Sequence, residues 1–563
     1  MAPTSRAIYE PIPRTSSDIE DRPSSDEFKD KPLITIHHRH RRRGIHFALF
    51  RLLRRFLSRV CRPLYIFLFI LGILLWQVVF NVPYADSRAP AFEMDMRESV
   101  FVAANIVDGD LVRGAWGDGI LELVERIGVH RCFVSVYGGP TDALGELDRR
   151  LEQVGVERRI VSEEVEGVDL GAMERTKLPS GKERVERIAF LAEVRNMALR
   201  PLNEKGARRW DKVLFINDVF FDVEGALRLL WGSDGSENEN EGKRETKAVC
   251  ATDFIAPWKY YDTFATRDTE GYSLGVPIFP WFANIGNAIS RNDVLAGKDR
   301  VRVKSCWGGM VAFDGSLFQS PRTSEAVPTN TEKKGVQLPL KFRSEKEPFW
   351  DSSECCLIHA DIIAASQSSA SDQDQNDSWD TGIYMNPFVR VSYSARTQKW
   401  IWLAKRFEAL LPLLQDIINR LAHMPRFNPR RAEVPGQVIP SKLWISSVSG
   451  KSEEEQVRIA EESWNRGIAE GKAGFSESRV GIPTVKGKRA LVGTVHDKSY
   501  WEKEGYYIPF NRTARRGGYC GVRQLLVLKE GDKGEGEGEG DGGGNWDTLL
   551  GEIPPLDLDG GRW

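Results

Sequence analysis

The run KVLFINDVFFD places an acid directly after an apolar segment. Lys212–Ile216 is apolar on both faces, which predicts a parallel strand buried between helices, and Asn217 and Asp218 follow it. Open α/β folds bind ligands at the carboxyl ends of such strands, so Asp218 is the first candidate for chemistry. Carboxylate oxygens suit Mg²⁺ or Mn²⁺, and such an ion offsets negative charge on a departing diphosphate. The alternative is that Asn217 and Asp218 cap the next helix.

Two further segments carry groups suited to a sugar or a phosphate. Asp253 lies at the exit of a second predicted strand, AVCATDFI, where its carboxylate could contact a donor sugar, an acceptor hydroxyl or a metal. Arg195 and Asn196 lie near the carboxyl end of an apolar helix, and a guanidinium can hold phosphate oxygens in a bidentate manner. The alternative for Arg195 and Asn196 is an exposed helix cap with a salt bridge.

The run SCWGGM sets a flat aromatic ring beside two residues without side chains. Trp307 can stack on a sugar, and Gly308 and Gly309 let backbone amides approach a ligand closely. The alternative is a buried tryptophan beside a tight turn.

The densest titratable cluster late in the chain is Glu354, His359 and Asp361. His359 is a candidate metal ligand, with a buried structural histidine as the alternative.

The segments that must position these residues alternate between strand and helix. After an irregular start at 100–107, the patterns predict helices at 119–128, 142–155, 183–202, 223–232 and 401–421, and strands at 130–139, 157–164, 212–216 and 248–255. An acidic loop at 233–245 separates the helix at 223–232 from the strand at 248–255. This alternation predicts an α/β fold with a mostly parallel sheet covered by helices.

An uncharged stretch at 63–85 predicts a membrane anchor. Its apolar run of about 20 residues can cross a hydrocarbon core of about 30 Å. Nine arginines and no acid lie between Arg39 and Arg62. Positive charge stays cytosolic, so we expect a retained type II anchor with the large C-terminal part lumenal or extracellular, rather than a cleaved signal peptide.

Composition bounds the remaining possibilities. The net charge of −2 and 41% hydrophobic content predict a packed core and argue against a nucleic-acid binder. Six of the seven cysteines fall on the predicted lumenal side, where disulfides form, and at most one of the adjacent Cys355 and Cys356 is expected to join a distant partner. Asn376 and Asn511 begin N-glycosylation sequons.

These signals divide the chain as follows: a disordered, basic cytosolic tail (1–62), a transmembrane anchor (63–84), a stem (85–99), one α/β domain (100–424) and a C-terminal extension (425–563) that becomes low-complexity from about 529.

Ordered blocks of this chain resemble a known family, the fungal capsule-associated α-1,3-mannosyltransferases. The blocks span about 100–414 and read FVSVYGGPTDAL, RIAFLAEVRNMALRPL, KVLFINDVFF, CATDFIAPWKYYDTFATRD, SCWGGMVAFDGSLF, FRSE, SECCLIHADI and IYMNPFVRVSYS. The resemblance implies a GT-A-like domain that transfers mannose from GDP-mannose to a mannose-containing glycan, using Mn²⁺ or Mg²⁺, in a Golgi-type membrane.

The resemblance also implies roles for particular residues. Asn217, Asp218 and Val219 stand where many GT-A enzymes have Asp-x-Asp, which assigns the metal to Asp218, and His359 would complete the cation site. In a retaining mechanism the departing diphosphate takes the acceptor proton, Asp253 or Glu354 stabilises the oxocarbenium-like sugar, and the metal with Arg195 stabilises the leaving group. The alternatives are a different nucleotide sugar on the same fold, or a non-catalytic lumenal binding protein.

Overall fold

The computed structural model describes residues 44–563 apart from the gaps at 172, 174, 178–182, 233–245, 322–335, 346, 348, 368–378, 427, 448–449, 466–497, 529–545, 550–552 and 555–563. The predicted acidic loop at 233–245 and most of the low-complexity tail lie outside the described residues. So does Asn376, whereas Asn511 is described and exposed.

The helices number twelve within the described part of the chain. In order they are α1 (Gly44–Phe80), α2 (Gly109–Arg113), α3 (Ala115–Ile127), α4 (Thr141–Val154), α5 (Arg187–Leu199), α6 (Val223–Trp231), α7 (Ile289–Leu295), α8 (Glu354–Gln367), α9 (Ala395–Lys405), α10 (Leu411–Ala422), α11 (Glu453–Asn465) and α12 (Lys498–Glu504). In α1, the 18 residues Pro63–Phe80 are long and apolar enough to span a membrane.

The same residues form seventeen strands: β1 (Val100–Ile106), β2 (Cys132–Gly138), β3 (Glu157–Ser162), β4 (Arg175–Lys177), β5 (Glu183–Val185), β6 (Lys212–Ile216), β7 (Ala248–Ala256), β8 (Lys259–Tyr260), β9 (Val301–Arg302), β10 (Met310–Asp314), β11 (Asp351–Ser352), β12 (Ile383–Ser392), β13 (Val438–Ser446), β14 (Gly505–Thr513), β15 (Gly521–Val522), β16 (Leu526–Leu528) and β17 (Trp546–Thr548).

Nine of these strands form one central sheet with the order β3-β2-β1-β6-β10-β7-β12-β9, and β8 pairs with β7. Strands β1, β2, β3, β6, β7 and β12 run in one direction. Strands β8, β9 and β10 run against them. The mixed, mostly parallel sheet of the predicted α/β fold is therefore confirmed.

Alternating side chains of the sheet pack on two different helix layers, because successive residues of a strand face opposite sides. Phe101 and Phe215 share one core cluster with side chains of α5 and α8. Val102 and Leu214 share the other cluster with side chains of α3, α4 and α6. Helices thus cover both faces of the sheet, as the alternating pattern predicts.

Most element positions agree with the sequence patterns, and three differ. The start at 100–107 is a fully formed strand, β1, which pairs with β2 and β6 near the centre of the sheet. Helix α5 begins at Arg187 because Glu183–Val185 pairs with β4 instead. The helical pattern at 401–421 divides into α9 and α10, with a short 3₁₀ turn at Glu408–Leu410 between them.

Residues after 424 pack against the sheet-containing segment. Disulfides join Cys250 to Cys306 and Cys356 to Cys520. Strand β15 pairs with β11, which directly precedes α8. As predicted, only one member of the Cys355–Cys356 pair is bonded to a distant cysteine.

Candidate functional site

The site is built around the turn that follows β6. The backbone N–H of Asn217 donates to the carbonyl of Gly309 at 2.9 Å, and Nε1 of Trp116 donates to the carbonyl of Asn217 at 3.0 Å. The N–H of Val219 then donates back to the Asn217 carbonyl at 2.9 Å, which closes a tight turn with Asp218 at its centre. The Asp218 carboxylate therefore stands at the carboxyl edge of the parallel strands, where ligands bind in such folds.

Asn217 and Asp218 do not cap the next helix. The N-cap of α6 is Asp222, whose carboxylate accepts from the N–H of Gly225 at 3.3 Å. Within the part of the chain that the structure describes, no other side chain donates a hydrogen bond to the Asp218 carboxylate. Burial raises the pKa of Asp218, its own backbone N–H and Arg195 lower it, and Asp108 raises it further. Among the described residues, the Asp218 carboxylate is thus engaged by its own backbone N–H and by no other side chain.

Arg195, on α5, connects three of the predicted site residues. Its Nε donates to Oε1 of Glu354 at 3.0 Å, and its Nη1 donates to Oδ1 of Asn217 at 3.2 Å. The guanidinium carbon lies 4.3 Å from the ring centroid of Trp307. Because Arg195 is buried, it is not the exposed cap that the sequence left open as an alternative.

Asn196 has a different task from its neighbour. Its side-chain amide donates to the carbonyl of Phe342 at 2.9 Å and accepts from the N–H of Phe342 at 2.9 Å. The Phe342 ring in turn stands against Trp307 and Arg195. Asn196 therefore holds a wall of the site, and both the nitrogen and the oxygen of its amide are bonded to the Phe342 backbone.

The Trp307-Gly308-Gly309 turn brings β10 against the ends of β6 and β7. Both glycines have positive φ (+59° and +69°), and a Cβ on Gly308 would lie 1.9 Å from the carbonyl oxygen of Ala251. Trp307 is 3% exposed, so the structure gives it the surroundings of the buried alternative and leaves no ring face for a sugar. Its indole Nε1 is buried and has no hydrogen-bond partner among the described residues.

The Asp253 carboxylate is buried and bonded to Tyr393, a residue that the sequence patterns did not single out. The carboxylate is 1% exposed, and it accepts from the N–H of Asp262 at 3.0 Å and from the hydroxyl of Tyr393 at 2.9 Å. Burial, followed by the charge of Asp262, raises the pKa of Asp253 to about 8. The ring of Tyr393 also contacts that of Tyr261, which is half exposed, with centroids 4.5 Å apart.

Glu354 and His359 both lie on α8, but they have different neighbours. Glu354 faces Arg195, whereas Nδ1 of His359 lies 2.7 Å from the Cys355 carbonyl and Nε2 lies 4.0 Å from Sγ of Cys250. Cys250, Cys306 and His359 form a cluster of metal-ligand atoms, but the two sulfurs are bonded to each other. These contacts are those of a buried core histidine, and we leave His359 out of the metal site proposed below.

The remaining titratable groups complete one electrostatic cluster. The pKa of Tyr261 is raised by burial first, then by Asp253, and it is also influenced by Arg187 and Asp218. Arg187, at the start of α5, has a buried Nε with no hydrogen-bond partner in the described part of the chain. Tyr393 and Asp108 could have been found by the signal that identified Asp218, a polar residue just past an apolar strand, whereas Arg187 carries no such signal in the sequence.

The comparison with protein families identifies the segment that carries this site. Residues 99–361 match the family model described as Cryptococcal mannosyltransferase 1. This segment is similar to the cryptococcal mannosyltransferases. The match covers Arg195, Asp218, Asp253 and Glu354, confirms the resemblance predicted from the sequence blocks, and supports a glycosyltransferase activity for the mannosyltransferase-like segment. A comparison with curated protein sequences gives no match.

Solved structures give weaker similarity. The mannosyltransferase PcManGT from Pyrobaculum calidifontis, in complex with GDP-Man and Mn²⁺, is 12% identical, with 64% of this chain and 76% of that chain covered and a TM-score of 0.26. Glucosyl-3-phosphoglycerate synthase from Mycobacterium tuberculosis, with Mn²⁺, UDP and phosphoglyceric acid, is 11% identical over 61% and 83%, with a TM-score of 0.25. Mannosyl-3-phosphoglycerate synthase from Rubrobacter xylanophilus is 13% identical over 63% and 85%, with a TM-score of 0.26. At these TM-scores, donor and metal must be argued from the site itself.

Proposed function

We propose that this protein transfers mannose from GDP-mannose to a mannose-containing glycan, forming an α-1,3 linkage with retention of configuration and with metal assistance. The observation that carries the proposal is the set of charged groups around Asp218. The Asp218 carboxylate, to which no other side chain of the described residues donates, lies near the buried Arg195 at the carboxyl edge of the sheet. The buried Nε1 of Trp307 and Nε of Arg187 have no hydrogen-bond partner among the described residues, and all four residues lie inside the segment that matches a mannosyltransferase family.

The site suits a metal-bound nucleoside diphosphate. The Asp218 carboxylate is a hard oxygen ligand, with Asp108 near enough to affect its pKa, and Mn²⁺ or Mg²⁺ prefers such ligands. When bound, the ion would neutralise charge that develops on the diphosphate. Within the described parts of the chain, the buried Nε1 of Trp307 and Nε of Arg187 have no acceptor, a costly state that the oxygens of a bound anion would relieve.

Retention requires little from the protein besides positioning and charge. The bond between the sugar C1 and the diphosphate oxygen breaks, and the acceptor hydroxyl oxygen bonds to C1 from the same face. The acceptor proton passes to the departing diphosphate oxygen, so no protein base is consumed. Arg195, held by Asn217 and Glu354, supplies fixed positive charge on the leaving-group side.

The contacts of Asp253 and Glu354 differ, although the sequence offered both as candidates for stabilising the reacting sugar. Glu354 is engaged by Arg195, so we assign it to holding that guanidinium in place. Asp253 is engaged by Tyr393, whose hydroxyl lies 3.6 Å from a Cβ built on Gly309. We therefore assign contact with the sugar to the Asp253–Tyr393 pair. The Tyr393 hydroxyl would face the sugar, and the Asp253 carboxylate would hold that hydroxyl from the protein side.

The test is mannosyl transfer by the full chain in detergent, with GDP-mannose, Mn²⁺ and short mannosides, and with the product linkage identified by NMR. Asp218→Asn should lower transfer by at least about a hundredfold, the effect typical of a key electrostatic group. Asp222→Asn is the matched control, because asparagine still caps α6 and the charge change is the same. Equal transfer by the two variants would overturn the assignment of Asp218, and turnover of only another nucleotide sugar would overturn the donor.

We also propose a secretory-pathway location, such as the Golgi, with the sheet-containing domain lumenal. The arginine-rich flank before the candidate span and the two disulfides support this orientation. Asn511 reports on it, because this asparagine is exposed and only a lumenal face is glycosylated. Expression in a eukaryotic host should give a glycosidase-sensitive mass shift that Asn511→Gln removes, whereas protease digestion of the domain in intact vesicles would contradict the orientation.

A further inference from the structure

Helix α10 is built with its polar side inward. Its buried side chains are Gln415 and Asn419, one turn apart. On the outer side, Leu413, Leu414, Ile417 and Leu421 are 72%, 47%, 49% and 76% exposed. Soluble helices normally bury the apolar stripe and expose the polar one, so this arrangement indicates that an apolar environment covers the outer side.

Specific hydrogen bonds hold α10 in this orientation. Nε2 of Gln415 donates to the carbonyls of Val276, Ile278 and Trp281 at 3.2, 3.2 and 3.0 Å. Oδ1 of Asn419 accepts from the N–H of Val276 at 2.6 Å. Rotating the helix to bury its leucines would leave these groups without partners, at a cost of about 1–3 kcal/mol for each buried group.

Exposed apolar side chains also occur on α9 and in the connection between α9 and α10. Trp400, Trp402 and Phe407 are exposed, and with Leu413, Leu414, Ile417 and Leu421 they define the α9–α10 apolar face. The connection between the two helices is fixed, because Arg390 and Glu408 form a buried ion pair with Nη1 2.6 Å from Oε1. Lys399 and Arg420 are exposed on the same two helices. Tryptophan, leucine and basic residues together are the composition of surfaces that lie in a membrane interface.

The chain that leaves the candidate span is fastened beside this face. The span ends at Phe80, and Tyr84 is buried, with its hydroxyl donating to the carbonyl of Val294 at 3.0 Å. Two residues later, Asp86 pairs with Lys405 of α9 at 3.1 Å. Four residues of extended chain reach at most about 14 Å, so the end of the span and the α9–α10 region stay close together.

We propose that the α9–α10 apolar face inserts into the interfacial region of the membrane that the anchor spans. The short tether brings this face to the lipid, and the outward leucines and tryptophans gain free energy by leaving water. The domain would then rest on the bilayer in one orientation rather than swing from a flexible stem. This inference does not depend on the proposed enzymatic activity.

The test places a photoreactive diazirine amino acid at position 413 of the full chain, reconstituted in vesicles of phosphatidylcholine and phosphatidylserine. The same amino acid at position 165 is the matched control, because Val165 is also apolar and exposed but lies after β3. We expect phospholipid adducts at position 413, detected by mass spectrometry, and none above background at position 165. Adducts joining two copies of the chain, or adducts with water alone, would each overturn the proposal.

A second variant separates membrane contact from folding. Leu414→Glu together with Leu421→Glu should lower the lipid adducts at position 413 by at least about tenfold, which corresponds to a loss of about 1.4 kcal/mol. Because both side chains point outward, the melting temperature in detergent should not fall. If the adducts persist at the original level in this folded variant, the face is not held by insertion into lipid.

Discussion

Arg195 and Glu354 are an ion pair between α5 and α8, with Nε 3.0 Å from Oε1, although 159 positions separate them in the sequence. Both side chains are buried, and Asn217, at the end of β6, accepts a second hydrogen bond from the same guanidinium. The pair thus links two helices on one face of the sheet to the turn that carries Asp218. Replacing Glu354 should therefore lower both the free energy of unfolding and the rate of mannosyl transfer.

Glu354→Ala should lower the free energy of unfolding by about 3–5 kcal/mol, because it leaves the Arg195 charge buried and uncompensated. Transfer should also fall by at least about a hundredfold at temperatures where the variant remains folded, since Arg195 loses its position. Thermal unfolding followed by circular dichroism and initial rates of transfer measure the two effects. Glu408→Ala is the matched control, because it breaks the buried pair with Arg390. Should both variants retain full transfer per folded molecule, the Arg195–Glu354 pair is structural only.

Asp253 should make the protein less stable as pH rises. Burial, then Asp262, raises the pKa of Asp253 to about 8, so the folded state holds this proton more tightly than the unfolded chain does. The resulting stability is complete below the unfolded pKa of about 4 and is lost as pH rises through about 8, at up to about 1.4 kcal/mol per pH unit. The measurement is the melting temperature of the wild type and Asp253→Asn between pH 5 and 9.

Burial also raises the pKa of Asp351 to about 8, so the wild type would lose stability with rising pH even without Asp253. The contribution of Asp253 is therefore the difference between the pH profiles of the wild type and Asp253→Asn. The melting temperature of the variant should fall less steeply than that of the wild type between pH 5 and about 8. Parallel pH profiles would show that Asp253 is already ionised in the folded protein at neutral pH.

Removing the Cys356–Cys520 disulfide should loosen the helix that carries Glu354. The bond closes a loop over a sequence separation of 164 residues and joins α8 to the segment after 424. Replacing both cysteines by serine should lower the free energy of unfolding by about 2–5 kcal/mol. Differential scanning calorimetry measures this loss. An unchanged melting temperature would mean that the other contacts of this segment are sufficient.

The sequence predicts the helices and strands that have a strong hydrophobic period. It does not predict those that form only because neighbouring strands pair with them. Strand β6 and the acid after it follow from one apolar run, whereas Val100–Ile106 contains Ala103, Ala104 and Asn105, which have weak strand preference. It becomes a strand because β2 and β6 pair with it on both sides. Local pattern cannot contain that information.

The site shows the same division between local and distant information. A polar residue just past an apolar strand identifies Asp218, whereas Asp253, predicted at a strand exit, lies inside β7 and pairs there with Val391 of β12. Which acid pairs with Arg195 depends on the packing of α5 against α8, and that contact spans half of the domain. Periodicity likewise predicted an amphipathic helix within 401–421, but it could not show that Gln415 and Asn419 would be the buried side of α10.

His359→Leu should separate packing from metal binding. Burial lowers the pKa of His359 to about 4, so the folded state disfavours the charged imidazole. The stability gained from the neutral ring is present above the unfolded pKa of about 6.5 and is lost as pH falls toward 4, by up to about 1.4 kcal/mol per pH unit. Leucine cannot titrate, so the variant should lose this acid-side decline in melting temperature.

The same variant decides whether His359 is a metal ligand. Its ring nitrogens face the Cys355 carbonyl and the Cys250 sulfur, so the Mn²⁺ concentration needed for half-maximal transfer should stay within about twofold of the wild type, less than the change expected for any metal-shell residue. Asp218→Asn provides the reference, because that variant should require far more Mn²⁺ or lose transfer altogether. If His359→Leu instead raises the Mn²⁺ requirement by about 10–100-fold, the histidine reaches the ion and the core assignment is wrong.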